Sequence, residues 1–199
     1  MYFIMDIGHN ITSEEKMRVL VPLAQGFEEI EALTVVDILR RADIEVVMAG
    51  LSPGPISGSH NIKVLPDALL DEVLYSGFDA VILPGGAPGF INLGKDERIL
   101  RITREMDKSG KCVAAICAAP SVLIKAGVLK EGRKATVNPA GRDEVAACAC
   151  YVDDRVVVDM NLVTSKSPGT AMEFALKLVE ILAGEEKAKK LGQTVIARV

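Results

Sequence analysis

Lys111-Cys112-Val113-Ala114-Ala115-Ile116-Cys117-Ala118-Ala119-Pro120-Ser121-Val122-Leu123 reads as strand, sharp turn and helix with almost nothing between them. The apolar β-type run stops at Cys117, and small residues followed by a helical pattern begin at once. That layout is similar to a nucleophile elbow, where one side chain stands on a strained turn above a sheet. A thiol there meets the positive end of a helix and several unpaired backbone N–H groups. Both favour thiolate, so the segment predicts a Cys117 pKa below the free value of about 8.5. The competing reading is an inert structural cysteine, because free Cys is among the most buried residue types.

Outward from this stretch, strands and helices alternate. Residues 18–23 form a β-type run, and residues 28–41 carry helical spacing through Ile30, Leu33, Val36 and Leu39. Ile44 to Ala49 reads as a second strand. The turn-rich segment from Ser52 to Asn61 suggests a short hairpin leading into Ile62–Leu65. Ala80-Val81-Ile82-Leu83 is the continuous apolar strand expected inside a parallel sheet, and Pro84-Gly85-Gly86-Ala87-Pro88-Gly89 breaks it. Residues 96–109 read as a helix, and another runs from the Cys117 turn to about Ala126. Val156–Val158 and Leu162–Ser165 read as later strands, and Ser167-Pro168 caps a helix expected over 169–183. The alternation predicts one α/β domain over residues 17–199, with a mainly parallel sheet covered on both faces. Residues 1–16 stand apart as an N-terminal extension without assigned chemistry, and Met17 is an alternative start.

Composition excludes several functional classes. Among 199 residues, 49% are apolar and 25% charged, the balance of a soluble globular chain. A net charge of −4 without a basic cluster gives no basis for nucleic-acid or anionic-membrane binding. No apolar run approaches the roughly 18 residues of a membrane span. The N-terminus reaches Asp6 too soon for a signal peptide, so a cytoplasmic location is expected. Four cysteines in a chain of this length read as reduced thiols rather than a disulfide framework.

Ligands of open parallel sheets gather at the carboxyl ends of the strands. Three loops there carry chemistry: Gln25–Glu31, Gly85–Gly89 and Cys117–Pro120. The Gly85-Gly86 backbone can approach a ligand closely and, with the Ala118 N–H, can form an oxyanion hole; Pro-Gly-Gly is otherwise an ordinary turn. Neither GxGxxG nor GxxxxGK[ST] occurs, so no phosphate-binding loop is expected. Glu28, Glu29 and Glu31 open the first helix, where acidic residues commonly just favour the helix dipole. Helical spacing puts Glu28 and Glu31 on one side and sends Glu29 elsewhere, to solvent. A carboxyl held against the core would have a raised pKa and could shuttle a proton. The two histidines, His9 and His60, lie far from the elbow, so no local Cys-His dyad is available. Cys148-Ala149-Cys150 would present two thiols on one face of a strand, but too few ligands lie near for a metal site. Cys112 reads as structural, and no metal or cofactor is expected.

Taken together, Gln25-Gly26-Phe27-Glu28-Glu29-Ile30-Glu31, Leu83-Pro84-Gly85-Gly86, Ala114-Ala115-Ile116-Cys117-Ala118-Ala119-Pro120 and Thr164-Ser165-Lys166-Ser167-Pro168-Gly169-Thr170 resemble the ThiJ/PfpI superfamily in its DJ-1-like branch. The resemblance runs in order from about Met17 to Gly184. It implies a flavodoxin-like three-layer sandwich, a homodimer, a reactive cysteine at Cys117, a protonated glutamate partner at Glu31 and an oxyanion-hole glycine at Gly86. Two departures bear on function. Ala118 stands where the proteolytic branch carries a histidine, which argues against an amidase or peptidase. Asn138, in Thr136-Val137-Asn138-Pro139, stands where many DJ-1-like members carry a histidine.

The resemblance implies a cofactor-independent enzyme for small α-oxoaldehydes or their adducts, of the glyoxalase or deglycase kind. The alternative is a non-enzymatic redox sensor or chaperone built on the same thiol, which a protonated glutamate would stabilise when oxidised.

Overall fold

The computed structural model describes residues 16–198, so the expected extension lies almost wholly outside the described residues. The elements run β1 (Arg18–Leu23), α1 (Glu29–Arg41), β2 (Glu45–Gly50), β3 (Ile56–Ser57), β4 (Lys63–Val64), β5 (Ala68–Leu69), α2 (Leu70–Val73) and β6 (Ala80–Leu83). Then follow α3 (Gly89–Leu93), α4 (Glu97–Lys108), β7 (Cys112–Ile116), α5 (Pro120–Lys125), β8 (Lys134–Ala135), α6 (Arg142–Cys148) and β9 (Cys150–Tyr151). The chain ends with β10 (Val156–Asp159), β11 (Leu162–Ser165), α7 (Ala171–Ala183) and α8 (Glu185–Thr194).

Seven strands form the central sheet in the order β10-β11-β7-β6-β1-β2-β5. All pairings are parallel except β10 with β11, an antiparallel ribbon at one edge. The period-2 alternation of the strands divides the core in two. Val19, Val21 and Leu23 of β1, with Ala80 and Ile82 of β6 and Ala114 and Ile116 of β7, pack under α1, α7 and α8. Leu20, Val81, Leu83, Val113 and Ala115 point the other way, against α4 and α5. The result is the expected three-layer α/β sandwich, its strands apolar on both faces because both are covered.

Local signals set the ends of several helices. The Asp96 side chain accepts from the Arg98 N–H at 2.9 Å and starts α4; Gly110, at φ 70°, ends it. Pro120 occupies the first turn of α5, where its missing N–H costs nothing. The helix expected over 169–183 begins instead with a 3₁₀ turn at Pro168–Thr170, and the α-helix proper starts at Ala171. Cys148 and Cys150 do not share a strand: Cys148 closes α6, Ala149 is extended, and Cys150 opens β9. All four cysteines are free thiols. No helix among the described residues is long and apolar enough to cross a membrane.

Two pairings position the site. The carboxyl ends of β1, β6 and β7 lie side by side at the middle of the sheet, so the loops that follow them meet. The β3–β4 hairpin folds back over the start of α1, with Ser59 N–H donating to the Phe27 carbonyl at 2.8 Å.

Candidate active site

Cys117 follows β7 directly and adopts φ 63°, the left-handed region that costs a non-glycine residue energy. The surrounding hydrogen bonds hold it there. Its N–H donates to the Ser165 carbonyl at 2.9 Å, extending the β7–β11 ladder by one residue. Its carbonyl accepts from the Asn138 N–H at 3.0 Å. The side chain is thereby lifted out of the sheet, half-buried, at the floor of a cavity of about 380 Å³. Gly86, Ala118, Phe90, Asn138 and Gly141 share that cavity, and among the described residues no charged side chain lines it.

Glu31, fully buried on α1, is the carboxyl that faces the thiol. Its Oε2 accepts from the Gly85 N–H at 2.8 Å, while Oε1 has no hydrogen-bond partner among the described residues. Burial raises this carboxyl; hydrogen bonding with Cys117 and Gly85 lowers it, the nearby Glu28 raises it, and it settles at about 7. A Cβ on Gly85 would sit 2.7 Å from Glu31 Oε2 and 2.8 Å from Cys117 Cβ, so only glycine lets carboxyl and thiol approach across this loop. Gly86, at φ 88°, packs its α-carbon against the backbone of Gly26, Phe27 and Glu28. The Glu28 N–H to Gly85 carbonyl bond at 3.0 Å and the Gly89 N–H to Gly26 carbonyl bond at 3.1 Å stitch the two loops together.

The thiol itself departs from the sequence expectation. Burial and the Glu31 charge push Cys117 up to about 11, although the Asn138 amide and the Ala118 N–H pull it down. A helix of six residues supplies less positive field than burial and a facing carboxylate take away. The resting thiol therefore keeps its proton until a base accepts it.

Glu29 also departs. It is 4% exposed, not solvated, because the β3–β4 hairpin closes over it. Its Oε1 accepts from the N–H groups of His60 at 2.8 Å and Ile62 at 3.2 Å. Burial alone would raise this carboxyl; bonds from its own N–H, the His60 ring and those hairpin N–H groups hold it at about 2 instead. A folded pKa below the unfolded one contributes stability above pH 4.5 and loses it as pH falls from there toward 2. Glu29→Gln should consequently cost on the order of 1–3 kcal/mol at neutral pH, read as a lower unfolding midpoint, and weaken the acid dependence. An unchanged midpoint would return Glu29 to the solvated role.

Glu28 accepts from Ser59 Oγ at 2.9 Å, and His60 Nδ1 lies 3.4 Å from Glu28 and 3.1 Å from Glu29. These three offer metal-type donors within 4.8 Å of one another, yet the hairpin's own hydrogen bonds already occupy the Glu29 oxygens. The structure thus lines the cavity with Cys117, Gly86 and Ala118, buries Glu31 behind it beside Gly85 and Cys117, and leaves His60, Cys148 and Cys150 outside the lining. Sequence reading did not single out Phe90, which lines the cavity from α3, or the side-chain contact of Asn138 with the sulfur. Only the Gly-rich break at 84–89 hinted that the segment after it would turn over the elbow.

The chain is similar to known proteins along most of its length. The DJ-1/PfpI family model matches residues 17–181. The chain spans about half the length of two Arabidopsis thaliana relatives, Protein DJ-1 homologs A and B, at 39% and 38% identity over 94% of its own length. It is 36% identical to a glutathione-independent glyoxalase of Caenorhabditis elegans, covering 91% of this chain and 96% of that one. It is 41% identical to a deglycase of Thermococcus kodakarensis, covering 83% and 99%. The crystal structure of Drosophila melanogaster DJ-1beta superposes with a TM-score of 0.89 at 41% identity, covering 92% of this chain and all of that one.

Proposed function

The chain belongs to the DJ-1/PfpI family, and from that membership and the site just described we propose a cofactor-independent cysteine enzyme of glyoxalase or deglycase type. Its substrates are small α-oxoaldehydes such as methylglyoxal, or their adducts. The observation that carries this reading is the thiol on a left-handed turn beside a buried carboxyl of pKa about 7. A base poised near the working pH combines a useful ionised fraction with useful driving force. The small, uncharged cavity suits a short neutral carbonyl better than a carboxylate or phosphate.

Glu31 takes the thiol proton as the Cys117 sulfur attacks the aldehyde carbon. The C–S bond forms, the carbonyl π pair moves to oxygen, and the N–H groups of Gly86 and Ala118 stabilise that charge until Glu31 returns the proton. The Glu31 carboxylate then removes the hydrogen of the same carbon as a proton, and the electron pair left behind forms an enediolate with the neighbouring ketone, its charge on the former ketone oxygen. The proton is redelivered to the neighbouring carbon, and the hydroxyl proton passes to the former ketone oxygen. A thioester on Cys117 remains. Water cleaves it, releasing a 2-hydroxy acid and restoring the thiol. One carbon is oxidised and its neighbour reduced, so the chemistry needs no outside electron carrier.

The test is incubation with methylglyoxal in the absence of glutathione. Loss of substrate matched by formation of lactate is expected; no consumption would overturn the reading. A redox-sensor role has one observation in its favour, the idle Oε1 of Glu31, which could hydrogen-bond an oxidised sulfur. It gains ground if turnover is absent and peroxide converts Cys117 selectively to the sulfinate.

Family membership also motivates a homodimer. Sedimentation at micromolar concentration should show a species of twice 21.3 kDa, and a 21.3 kDa species would contradict it.

A further inference from the structure

We infer that Asn138 is a catalytic residue of this chain: its side-chain amide is a fixed, non-titrating hydrogen-bond donor to the Cys117 sulfur as negative charge develops there. The geometry has three parts. Asn138 Nδ2 lies 3.4 Å from Cys117 Sγ. Its Oδ1 accepts from the Gly141 N–H at 2.8 Å, which fixes which end of the amide is oxygen and leaves the NH₂ for the sulfur. Its own backbone N–H holds the Cys117 carbonyl at 3.0 Å, so amide and elbow are braced as a unit. Gly141 is itself tightly placed, since a Cβ there would come within 2.7 Å of Val137 Cγ2. The Pro139–Gly141 3₁₀ turn, capped by Asn138, therefore serves to aim one N–H group at one sulfur.

The consequence is a simplified acid–base site. Glu31, from α1, is the titratable group whose charge and hydrogen bond bear on the thiol; the β6 loop contributes glycines, and the segment after β8 contributes the neutral Asn138. An amide donates at every pH, so only the thiol itself and Glu31 titrate where the sulfur is activated. An imidazole at the same place would add a third group. Asn138 favours the thiolate by hydrogen bonding while holding no proton to give up.

This inference adds a residue to the proposed mechanism, but its test does not need turnover. The readout is the pH dependence of iodoacetamide labelling at Cys117, resolved by peptide mass spectrometry from Cys112, Cys148 and Cys150. Asn138→Asp keeps an oxygen for the Gly141 N–H but places a second carboxylate oxygen at the sulfur. Its labelling inflection should move up by at least about one pH unit, slowing Cys117 roughly tenfold near neutrality. Asn138→His should add a further inflection, that of the imidazole. Wild-type profiles in folded Asn138→Asp and Asn138→His would overturn the inference; if the Asp variant fails to fold, an unaltered profile in the His variant overturns it alone. Should wild type fail to turn over methylglyoxal, the proposed reaction falls while the labelling profile still decides the role of Asn138.

Discussion

Glu31→Gln is expected to slow methylglyoxal turnover a hundredfold or more while making the folded protein more stable above neutral pH. The amide can still accept the Gly85 N–H, so the loop stays closed, but it cannot take and return a proton. In wild type, turnover should rise with pH through about 7 as Glu31 ionises, and the variant should lose that inflection. The stability effect has a definite sign. A carboxyl whose folded pKa lies above its unfolded value of 4.5 binds its proton more tightly when folded, so wild type loses stability as pH rises from 4.5 to about 7. The shift corresponds to on the order of 3 kcal/mol, which the uncharged glutamine does not lose. Thermal unfolding of both proteins at pH 8 and at pH 4 reads it: the variant should melt higher at the first pH and lose the advantage at the second. A variant that is less stable at both would mean that Glu31 is structural, and unchanged turnover with Cys117→Ser inactive would end its proton-transfer role.

Gly86→Ala should be the most damaging single methyl group in the site. At φ 88° an L residue is strained before any contact is considered, and the new Cβ would overlap the Glu28 nitrogen and sit 2.5 Å from the Gly26 carbonyl oxygen. These are backbone atoms, so no rotamer change relieves the clash. The cost should exceed about 3 kcal/mol, a fall of roughly 6–12 °C in the unfolding midpoint for a chain of this size. Turnover should fall with it, because the N–H of residue 86 would be displaced from the cavity. Wild-type melting and turnover would show that the loop has room to give and that its geometry does not matter to the chemistry.

Most of the fold could be read from the chain because the strands around Cys117 are short, apolar and regularly separated by amphipathic helices. Val113–Ile116 and Ala80–Leu83 leave little choice but a parallel sheet covered on both faces. The elbow was equally plain, since only three residues separate Ile116 from the helix at Pro120. Glu31 was less so: helical spacing grouped it with Glu28, and only likeness to a family distinguished the two. Glu29 shows where spacing fails. The helical pattern tells which side of α1 a residue occupies, but a hairpin some thirty residues later decides whether that side meets water. The thiol pKa was misjudged for a related reason. The local helix was visible in the sequence, whereas burial and the Glu31 charge arise only when α1 and β7 come together. The Asn138 contact depends on the Gly141 N–H turning an amide, and no periodicity carries that information.

Cys117, and no other thiol, is expected to perform the covalent chemistry on an α-oxoaldehyde. The direct measurement is lactate formation from methylglyoxal without glutathione, comparing wild type with Cys117→Ala and with a variant lacking Cys112, Cys148 and Cys150. Lactate should form with wild type and with the variant that retains only Cys117, and Cys117→Ala should give none above the buffer rate. Lactate formed by Cys117→Ala at the wild-type rate would mean that the Cys117 sulfur is not the nucleophile.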